Sequence, residues 1–294
     1  MRPQVIIVAT LLLNVTLFAV NFTVAILGGS RSVLAEAIFT VTDIAGSGLL
    51  LWGLYLSRLP ATPAHPFGRG KERFFWAFVS IIVTFTVAGV LVLTEGISQF
   101  IDPHPIRYLV EGLLVVFATL ATSVAGIGFT MRELRRSRMG LLELLESANQ
   151  GLKAIVYQDL VTVGASMAAF VSLIVVAQTG NAAADGLGAM GEGVILIAAG
   201  FILSAESRGY LIGRAMEPDQ GRRMLAIVRA NPNVSKVRSI QSMLLGPEDA
   251  LLALKINFKD GMTTDQLELA IDEVTATLRA EFPVLRHIII EPES

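Results

Sequence analysis

The chain has 294 residues, of which 53% are hydrophobic and only 16% carry a charge, whereas soluble domains carry roughly 25% charged residues. No charged side chain occurs between Arg2 and Arg31, a stretch long enough to cross a bilayer as a helix and too long for a signal-peptide core. This composition excludes a soluble globular enzyme. The net charge of −2 and the absence of cysteine argue against a nucleic-acid partner and exclude disulfides and thiolate metal sites.

Six apolar segments, each long enough to span a bilayer as a helix, precede a more polar tail. They are residues 4–28, 33–57, 74–98, 108–131, 152–179 and 184–206. Basic residues gather in two of the loops and after the last segment. In the loops on the other side of the membrane, the only Lys or Arg residues are Arg31 and Arg107. The positive-inside rule then places both termini in the cytoplasm. We therefore expect a multi-pass protein of the cell (inner) membrane, surrounded by bilayer lipid.

Residues 215–294 have the composition of a small soluble domain. Their pattern predicts a helix, two strands, an amphipathic helix and a last strand, over residues 217–230, 234–245, 250–258, from 263 onward, and 285–290. The predicted fold class is an α-helical membrane protein with six transmembrane helices and a small cytosolic α+β (ferredoxin-like) C-terminal domain. The predicted domains are 1–214, for transport, and 215–294, for dimerisation or regulation.

Polar side chains inside the predicted spans mark candidate pathways, because a charge in hydrocarbon is energetically costly. Glu36 and Asp43 lie seven residues apart on one face of the second span, Asp159 follows Gln158 in the fifth, and Glu192 lies in the sixth. These acids could converge on one cation site near the middle of the membrane. Glu36 could instead be an interfacial residue, Glu192 could face a water-filled vestibule, and a buried Asp could serve a helix–helix hydrogen bond.

Two further patterns in the spans predict helix packing rather than chemistry. Asn14 and Asn21 lie on one face of the first span, where amides commonly form interhelical hydrogen bonds. Glycines recur every seven residues in the last span, at Gly186, Gly193 and Gly200. This stripe predicts a close approach to a neighbouring helix.

Two segments resemble cation diffusion facilitators. The run from Ser32 to Asp43 is similar to the second membrane helix of that family. Residues 65–76 read His-Pro-Phe-Gly-Arg-Gly-Lys-Glu-Arg followed by aromatic residues, and this form resembles the loop between spans two and three in one zinc-transporter branch. Residues 95–97 and 206–213 fit the same branch. The resemblance extends over the whole chain, tail included.

The resemblance implies a homodimeric exporter that moves Zn²⁺ or a related divalent cation out of the cytosol by alternating access, usually in exchange for protons. In the family, a His or Asp four residues before an Asp in span two joins a similar pair in span five. The retained positions are Asp43 and Asp159. The positions four residues earlier hold Phe39 and Ile155, which cannot ligate a metal, and Gln158 stands where the branch often has an acid.

The loop between spans two and three also departs from the family pattern. It keeps His65, but a second histidine common in the family is replaced by Arg69, so we expect His65 to hydrogen-bond within the loop rather than to ligate. The candidate metal ligands implied by the resemblance are therefore Asp43 and Asp159. Less certain additions are Glu36, Gln158, Glu192 and His65.

The expected site is oxygen-rich, and oxygen ligands suit Mg²⁺ and Mn²⁺ better than Zn²⁺. The transported cation could be Zn, Mn, Co, Cd or Fe, and no bound cofactor is expected. Protons compete with metal for the same carboxylates. Because Phe39, Ile155 and Arg69 replace ligands, the alternative function is a transport-deficient family member that acts as a binding or regulatory partner. No sequence motif of an enzyme is present.

Overall fold

The computed structural model describes residues 3–136, 150–246 and 249–293, with side chains described from Asn14 onward apart from 129–130, 133–136, 150–156 and 158–159. The apolar part of the chain is helical. Its elements are α1 (Pro3–Gly28), α2 (Arg31–Ser57), α3 (Glu72–Ile81), a π-helical segment (Ile82–Val87), α4 (Ala88–Ile101), α5 (Leu109–Arg136), α6 (Gln150–Thr179) and α7 (Ala183–Ile212).

All six predicted spans are helical, with α3, the π-helical segment and α4 forming one continuous span. Within the described residues, five helices are long and apolar enough to cross a membrane, and residues 14–28 of α1 form a shorter apolar helix. Two of these helices, α1 and α6, are followed directly by a glycine. Gly29 and Gly180 have φ angles of 74° and 69°, a left-handed conformation that glycine adopts without a Cβ penalty and that commonly ends helices. The predicted helical membrane architecture is confirmed.

The chain divides into two compact units. The helical unit comprises residues 1–49 and 79–205, and the sheet unit comprises residues 50–78 and 206–294. The sheet unit thus includes the end of α2, the following loop and the start of α3, in addition to the tail. The functional boundary at 214/215 stays a prediction, because compact units are defined by contacts and not by role.

Glycines allow α4 and α7 to pack with their backbones in contact in the helical unit. A Cβ added at Gly193 would lie 2.7 Å from the amide nitrogen of Leu93 and 2.8 Å from the carbonyl oxygen of Gly89. One built at Gly186 would lie 2.7 Å from the amide nitrogen of Phe100. Side chains larger than hydrogen have no space at these positions. The predicted close approach of the glycine stripe is confirmed.

The tail of the sheet unit has the predicted α+β order. Its elements are α8 (Pro218–Ala230), β1 (Val234–Gly246), β2 (Asp249–Phe258), α9 (Thr264–Glu281) and β3 (Leu285–Glu293). The sheet order is β1-β2-β3, with β1 antiparallel and β3 parallel to β2. The parallel pair requires a crossover, which α9 supplies.

One face of this sheet and its two helices form a buried apolar core. Every second residue of β2 is buried, because successive strand side chains point to opposite faces. The α9 side chains that contact this core are Ala270, Val274 and Leu278. Thr263 and Gln266 form a reciprocal capping box at the N-terminus of α9, which satisfies two backbone donors that the helix leaves unpaired. The predicted start of this helix at Thr263 is confirmed.

Candidate functional site

Asp43 lies in the middle of α2, on a polar stretch within a candidate membrane span. Its carboxylate is half-buried and accepts a hydrogen bond of 3.0 Å from the side-chain amide of Asn14 on α1. An amide donor orients a carboxylate without neutralising its charge. The interhelical hydrogen bond predicted for Asn14 is therefore confirmed, with Asp43 as its acceptor.

Hydrogen bonds from the third span hold the backbone of α2 on both sides of Asp43. Ser80 Oγ donates to the carbonyl of Gly46 at 2.9 Å, and Thr84 Oγ1 donates to the carbonyl of Thr42 at 3.3 Å. A Cβ at Gly46 would collide with the Thr84 hydroxyl, so glycine permits this approach. Thr84 belongs to the π-helical segment, a distortion found frequently at functional sites. These residues were not predicted from the sequence, although the glycine three residues after Asp43 was an available signal.

Phe39 occupies the position at which the family carries a metal ligand, one turn from Asp43 and one turn from Glu36. Its side chain is only 6% exposed and packs against Phe85, with ring centroids 6.0 Å apart. Both rings belong to a buried apolar cluster of the helical unit. Along α2, an aromatic layer therefore separates Glu36 from Asp43.

Glu36 is buried on the far side of that layer. It is 1% exposed, and its Oε1 accepts a hydrogen bond of 2.6 Å from the hydroxyl of Ser166 on α6, which is itself fully buried. Seven residues of helix separate Glu36 from Asp43 by about 10 Å along the axis. Glu36 is thus neither an exposed interfacial residue nor at the level of Asp43.

Glu192 lies on α7 and is also 1% exposed, so it does not face an open vestibule. Its Oε2 is buried without a hydrogen-bond partner among the described residues. Ser32, one turn before Glu36 on α2, lies against Gly188, one turn before Glu192 on α7, because a Cβ at Gly188 would lie 2.9 Å from the Ser32 hydroxyl oxygen. The structure thus brings Glu36 and Glu192 together. In the described part of the chain, no group of three or more His, Cys, Asp or Glu side chains is arranged to hold a metal ion.

Asp185, in the first turn of α7, is a buried carboxylate that the sequence analysis missed. Its oxygens accept hydrogen bonds from the Ser30 hydroxyl at 2.9 Å, the Arg31 backbone amide at 2.6 Å and the Ser32 backbone amide at 3.2 Å. Ser30 in turn accepts from the amide of Val33 at 3.2 Å. Asp185 therefore caps the N-terminus of α2, where unpaired amides and the helix dipole favour an anion. Ser30 directly before the helix was the only sequence signal.

The other half of the predicted ligand set lies on α6. Gln150–Thr179 is helical, and the family's span-five position, Asp159, falls within it. The side chains of Asp159, Gln158 and Ile155 lie outside the described residues. Their part in the site therefore stays a prediction.

His65 lies in the sheet unit, in the loop before α3. Its backbone pairs with Thr62 through two hydrogen bonds of 2.9 and 3.2 Å, and its Nε2 lies 3.4 Å from Nη2 of Arg69. Arg69 also lies 3.9 Å from a carboxylate oxygen of Glu72. These contacts support a role in loop structure and do not add a metal ligand.

A second histidine of the sheet unit contacts an acid. Nε2 of His287, on β3, lies 3.7 Å from Oδ1 of Asp249, and the His287 ring packs edge-on against Phe67. Burial raises the pKa of the Asp249 carboxyl above its usual range, while the positive charges of His287 and Arg286 oppose this shift. One acid and one histidine provide too few ligands for a tight metal site.

Comparison with known proteins bears on the whole chain. The family model described as the cation efflux transmembrane domain matches residues 7–212. The chain is 25% identical over 273 residues to the mouse protein named proton-coupled zinc antiporter SLC30A9, mitochondrial, covering 88% of this chain and 48% of that protein. It is 29% identical over 279 residues to the cation-efflux pump FieF of Cronobacter sakazakii, covering 94% and 86%.

A plant relative is similar at the same level. The metal tolerance protein C4 of Arabidopsis thaliana is 26% identical over 263 residues, which cover 85% of this chain and 56% of that protein. The chain therefore spans about half the length of the animal and plant relatives, and most of the length of the bacterial one.

Proposed function

The chain belongs to the cation efflux, or cation diffusion facilitator, family of transporters, and from that premise we propose that it exports a divalent metal cation in exchange for protons. Alternating access would expose the site first to one side of the membrane and then to the other. The proposed metal ligands are the carboxylates of Asp43 and Asp159.

The observation that carries this proposal is the environment of Asp43. Its half-buried carboxylate lies inside a candidate membrane span, where an ionisable side chain is expected to have a function. Asn14 orients the carboxylate, and Ser80 and Thr84 hold the adjacent backbone. A site held in this way needs little rearrangement to receive an ion.

The donor set favours a cation that accepts oxygen ligands. Two carboxylates, with amide or carbonyl oxygens and water completing the shell, suit Mn²⁺ or Mg²⁺ in ligand type, whereas Zn²⁺ prefers imidazole or thiolate. The mouse relative is named as a zinc antiporter, and the plant relative is named as a metal tolerance protein. Zinc and manganese are therefore the first cations to test. Carboxylates must be deprotonated to bind either one, which couples metal to protons.

A liposome flux assay tests the function directly. The purified full chain is reconstituted with a pH dye inside, and Zn²⁺, Mn²⁺, Co²⁺, Cd²⁺ or Mg²⁺ is added outside. We expect metal-driven proton movement for at least one cation, reduced to background by Asp43→Asn and by Asp159→Asn. Glu111→Gln is the matched control, because Glu111 is an exposed acid in the first turn of α5. Undiminished flux in both Asn variants would refute the ligand assignment.

The packing of Phe39 favours a second candidate function, that of a transport-deficient partner. A buried aromatic ring fills the position of a family ligand, which leaves fewer donors for an ion. The discriminating variant combines Phe39→His with Ile155→His. If only this double variant transports metal, the native chain has a degenerate site, as a transport-deficient partner requires. If the native chain transports as well, this function is excluded.

We also propose a homodimer in the cell membrane with both termini in the cytoplasm. The support is the loop charge asymmetry and the exposed edge strands β1 and β3 of the three-stranded sheet, since an unpaired edge is a ready surface for association. Light scattering of the detergent-solubilised chain should give a dimer, and removal of residues 217–294 should weaken it. An unchanged dimer after truncation would contradict a role for the tail.

A further inference from the structure

Two buried carboxyls face the same apolar cluster from different helices. On α2, Phe39 lies one turn after Glu36, and on α7, Ala189 and Leu196 lie one turn before and after Glu192; all three apolar side chains belong to that cluster. Helix residues three or four apart share a face. Glu36 and Glu192 therefore face the same cluster, and the residues one turn before them, Ser32 and Gly188, lie against each other.

The surroundings provide no cation for either carboxyl in the part of the chain that the structure describes. Arg31, at the start of α2, is paired with Glu95 of α4 at 2.6 Å. Asp185 of α7 adds a further negative charge. The third span contributes apolar side chains such as Phe85 to the cluster, and α6 contributes the neutral Ser166 hydroxyl.

On α1, a neutral amide is placed at the same level. Asn14 contacts Asp43, and α1 and α2 are joined by a short connection and run antiparallel. Asn21, seven residues after Asn14, therefore lies near the level of Glu36, seven residues before Asp43. Asn21 is 1% exposed, and its Nδ2 has no hydrogen-bond partner among the described residues. The hydrogen bond predicted for Asn21 is not formed by this atom.

We propose that Glu36 and Glu192 form a proton-binding site that holds one proton between two carboxyls. Two adjacent carboxylates in an apolar interior cannot both remain charged, because each lacks solvation and repels the other. The Ser166 hydroxyl stabilises a negative charge on Glu36, whereas Glu192 Oε2 has no described donor. We therefore assign the proton to Glu192. Uptake adds one H⁺ to that carboxylate and breaks no other bond.

This site is separate from the proposed metal ligands. The Phe39–Phe85 layer lies between Glu36 and Asp43 along α2. The role in transport rests on the proposed function: the pair would provide a coupling proton that does not compete with metal at Asp43. Whether the pair holds a proton does not depend on that function, and it can be measured on a chain that transports nothing.

Infrared difference spectroscopy of the full chain in lipid tests the proposal. At neutral pH we expect a protonated-carboxyl C=O band that shifts in D₂O and disappears at alkaline pH. Glu192→Gln should remove this band and Glu36→Gln should remove or displace it, while the matched variant Glu111→Gln leaves it unchanged. Absence of the band from the unmodified chain, or its persistence in Glu192→Gln, would overturn the proposal, and the first result does not depend on any variant folding.

The same measurement separates this proposal from the proposed function. Asp43→Asn should lose metal-driven proton flux and keep the band. A chain with the band but no flux refutes transport and leaves the proton site intact, whereas flux without the band refutes the proton site alone. A metal ion at the pair is a further outcome. Mn²⁺ or Zn²⁺ added to Asp43→Asn would then replace the protonated-carboxyl band by carboxylate bands, and Glu192→Gln would lack those carboxylate bands. This result would refute the proton site.

Discussion

Asp185 and Glu192 lie on the same helix, seven residues apart, and are 0% and 1% exposed. Asp185, at the beginning of α7, accepts three hydrogen bonds from the start of α2. Glu192, two turns further along, has an oxygen with no described donor. The two side chains are equally buried, but they differ in the hydrogen bonds that their carboxyl oxygens accept.

The difference shows that burial alone does not reveal what a membrane-embedded acid does. Unpaired amides at a helix N-terminus donate hydrogen bonds to the Asp185 carboxylate, so its burial has a structural explanation. Nothing described compensates Glu192, and an uncompensated buried acid without a structural explanation is a candidate for function. Three substitutions test this contrast, and a fourth tests a less buried acid in the sheet unit.

The largest effect is expected from Asp185→Ala. Three donors at the start of α2 would lose their acceptor in a water-poor interior, and the free energy of unfolding should fall by about 3 kcal/mol. Chemical unfolding in detergent micelles measures the change. Asp185→Asn keeps one acceptor oxygen and should lose less. An equal loss for Glu192→Gln would remove the contrast between the two acids.

Gly193→Ala should have the next largest effect, because it tests the packing that positions Glu192. The added Cβ would lie 2.7 Å from a backbone nitrogen, and overpacking of this kind costs about 2 kcal/mol. Gly191→Ala is the matched control, since its Cβ would meet only the Ala168 Cβ at 3.6 Å. Equal unfolding free energies for the two variants would show that α4 and α7 are not in close contact.

Glu192→Leu should change stability in the opposite direction. An apolar side chain removes an acid with an unpaired oxygen from an apolar cluster, and the free energy of unfolding should rise by about 1 kcal/mol. The same unfolding assay measures this gain. A loss of stability would show that donors outside the described residues compensate Glu192.

The smallest effect is expected from Asp249→Asn in the sheet unit, where water and His287 moderate the burial of the acid. Because burial raises the pKa of Asp249 in the folded state, the folded chain holds more protons than the unfolded chain. Its stability relative to the Asn variant should therefore fall as pH rises from about 4, by well under about 1 kcal/mol. Exposed Asp260→Asn is the control, and a difference independent of pH would contradict the shift.

The sequence predicted the elements well because each has a local signature. Twenty or more apolar residues predict a span, strand and turn patterns predict β2, and apolar residues at helical spacing after Thr263 predict a helix. The glycine stripe of α7 predicted close packing for the same reason: the spacing lies on one helix. None of these inferences requires knowledge of which helices are neighbours.

The candidate site was less predictable. Glu36 and Asp43 share a face of α2, so helical periodicity assigned them to one site, and the Phe39–Phe85 contact that separates them depends on a distant residue. The cap formed by Asp185 joins the start of α2 to a residue more than 150 positions later. Sequence spacing carries no information about such partners.

By itself, the sequence determined that this chain has membrane helices and an α+β tail, that it resembles cation diffusion facilitators, and that Phe39 and Ile155 cannot ligate a metal. These properties follow from hydropathy, periodicity and side-chain chemistry, which are local. Only the tertiary structure decided that Glu36 contacts Ser166, that Asp185 is a helix cap, and that Asn14 orients Asp43. Whether a buried acid is paired depends on donors from other helices, and these are brought near it only by packing.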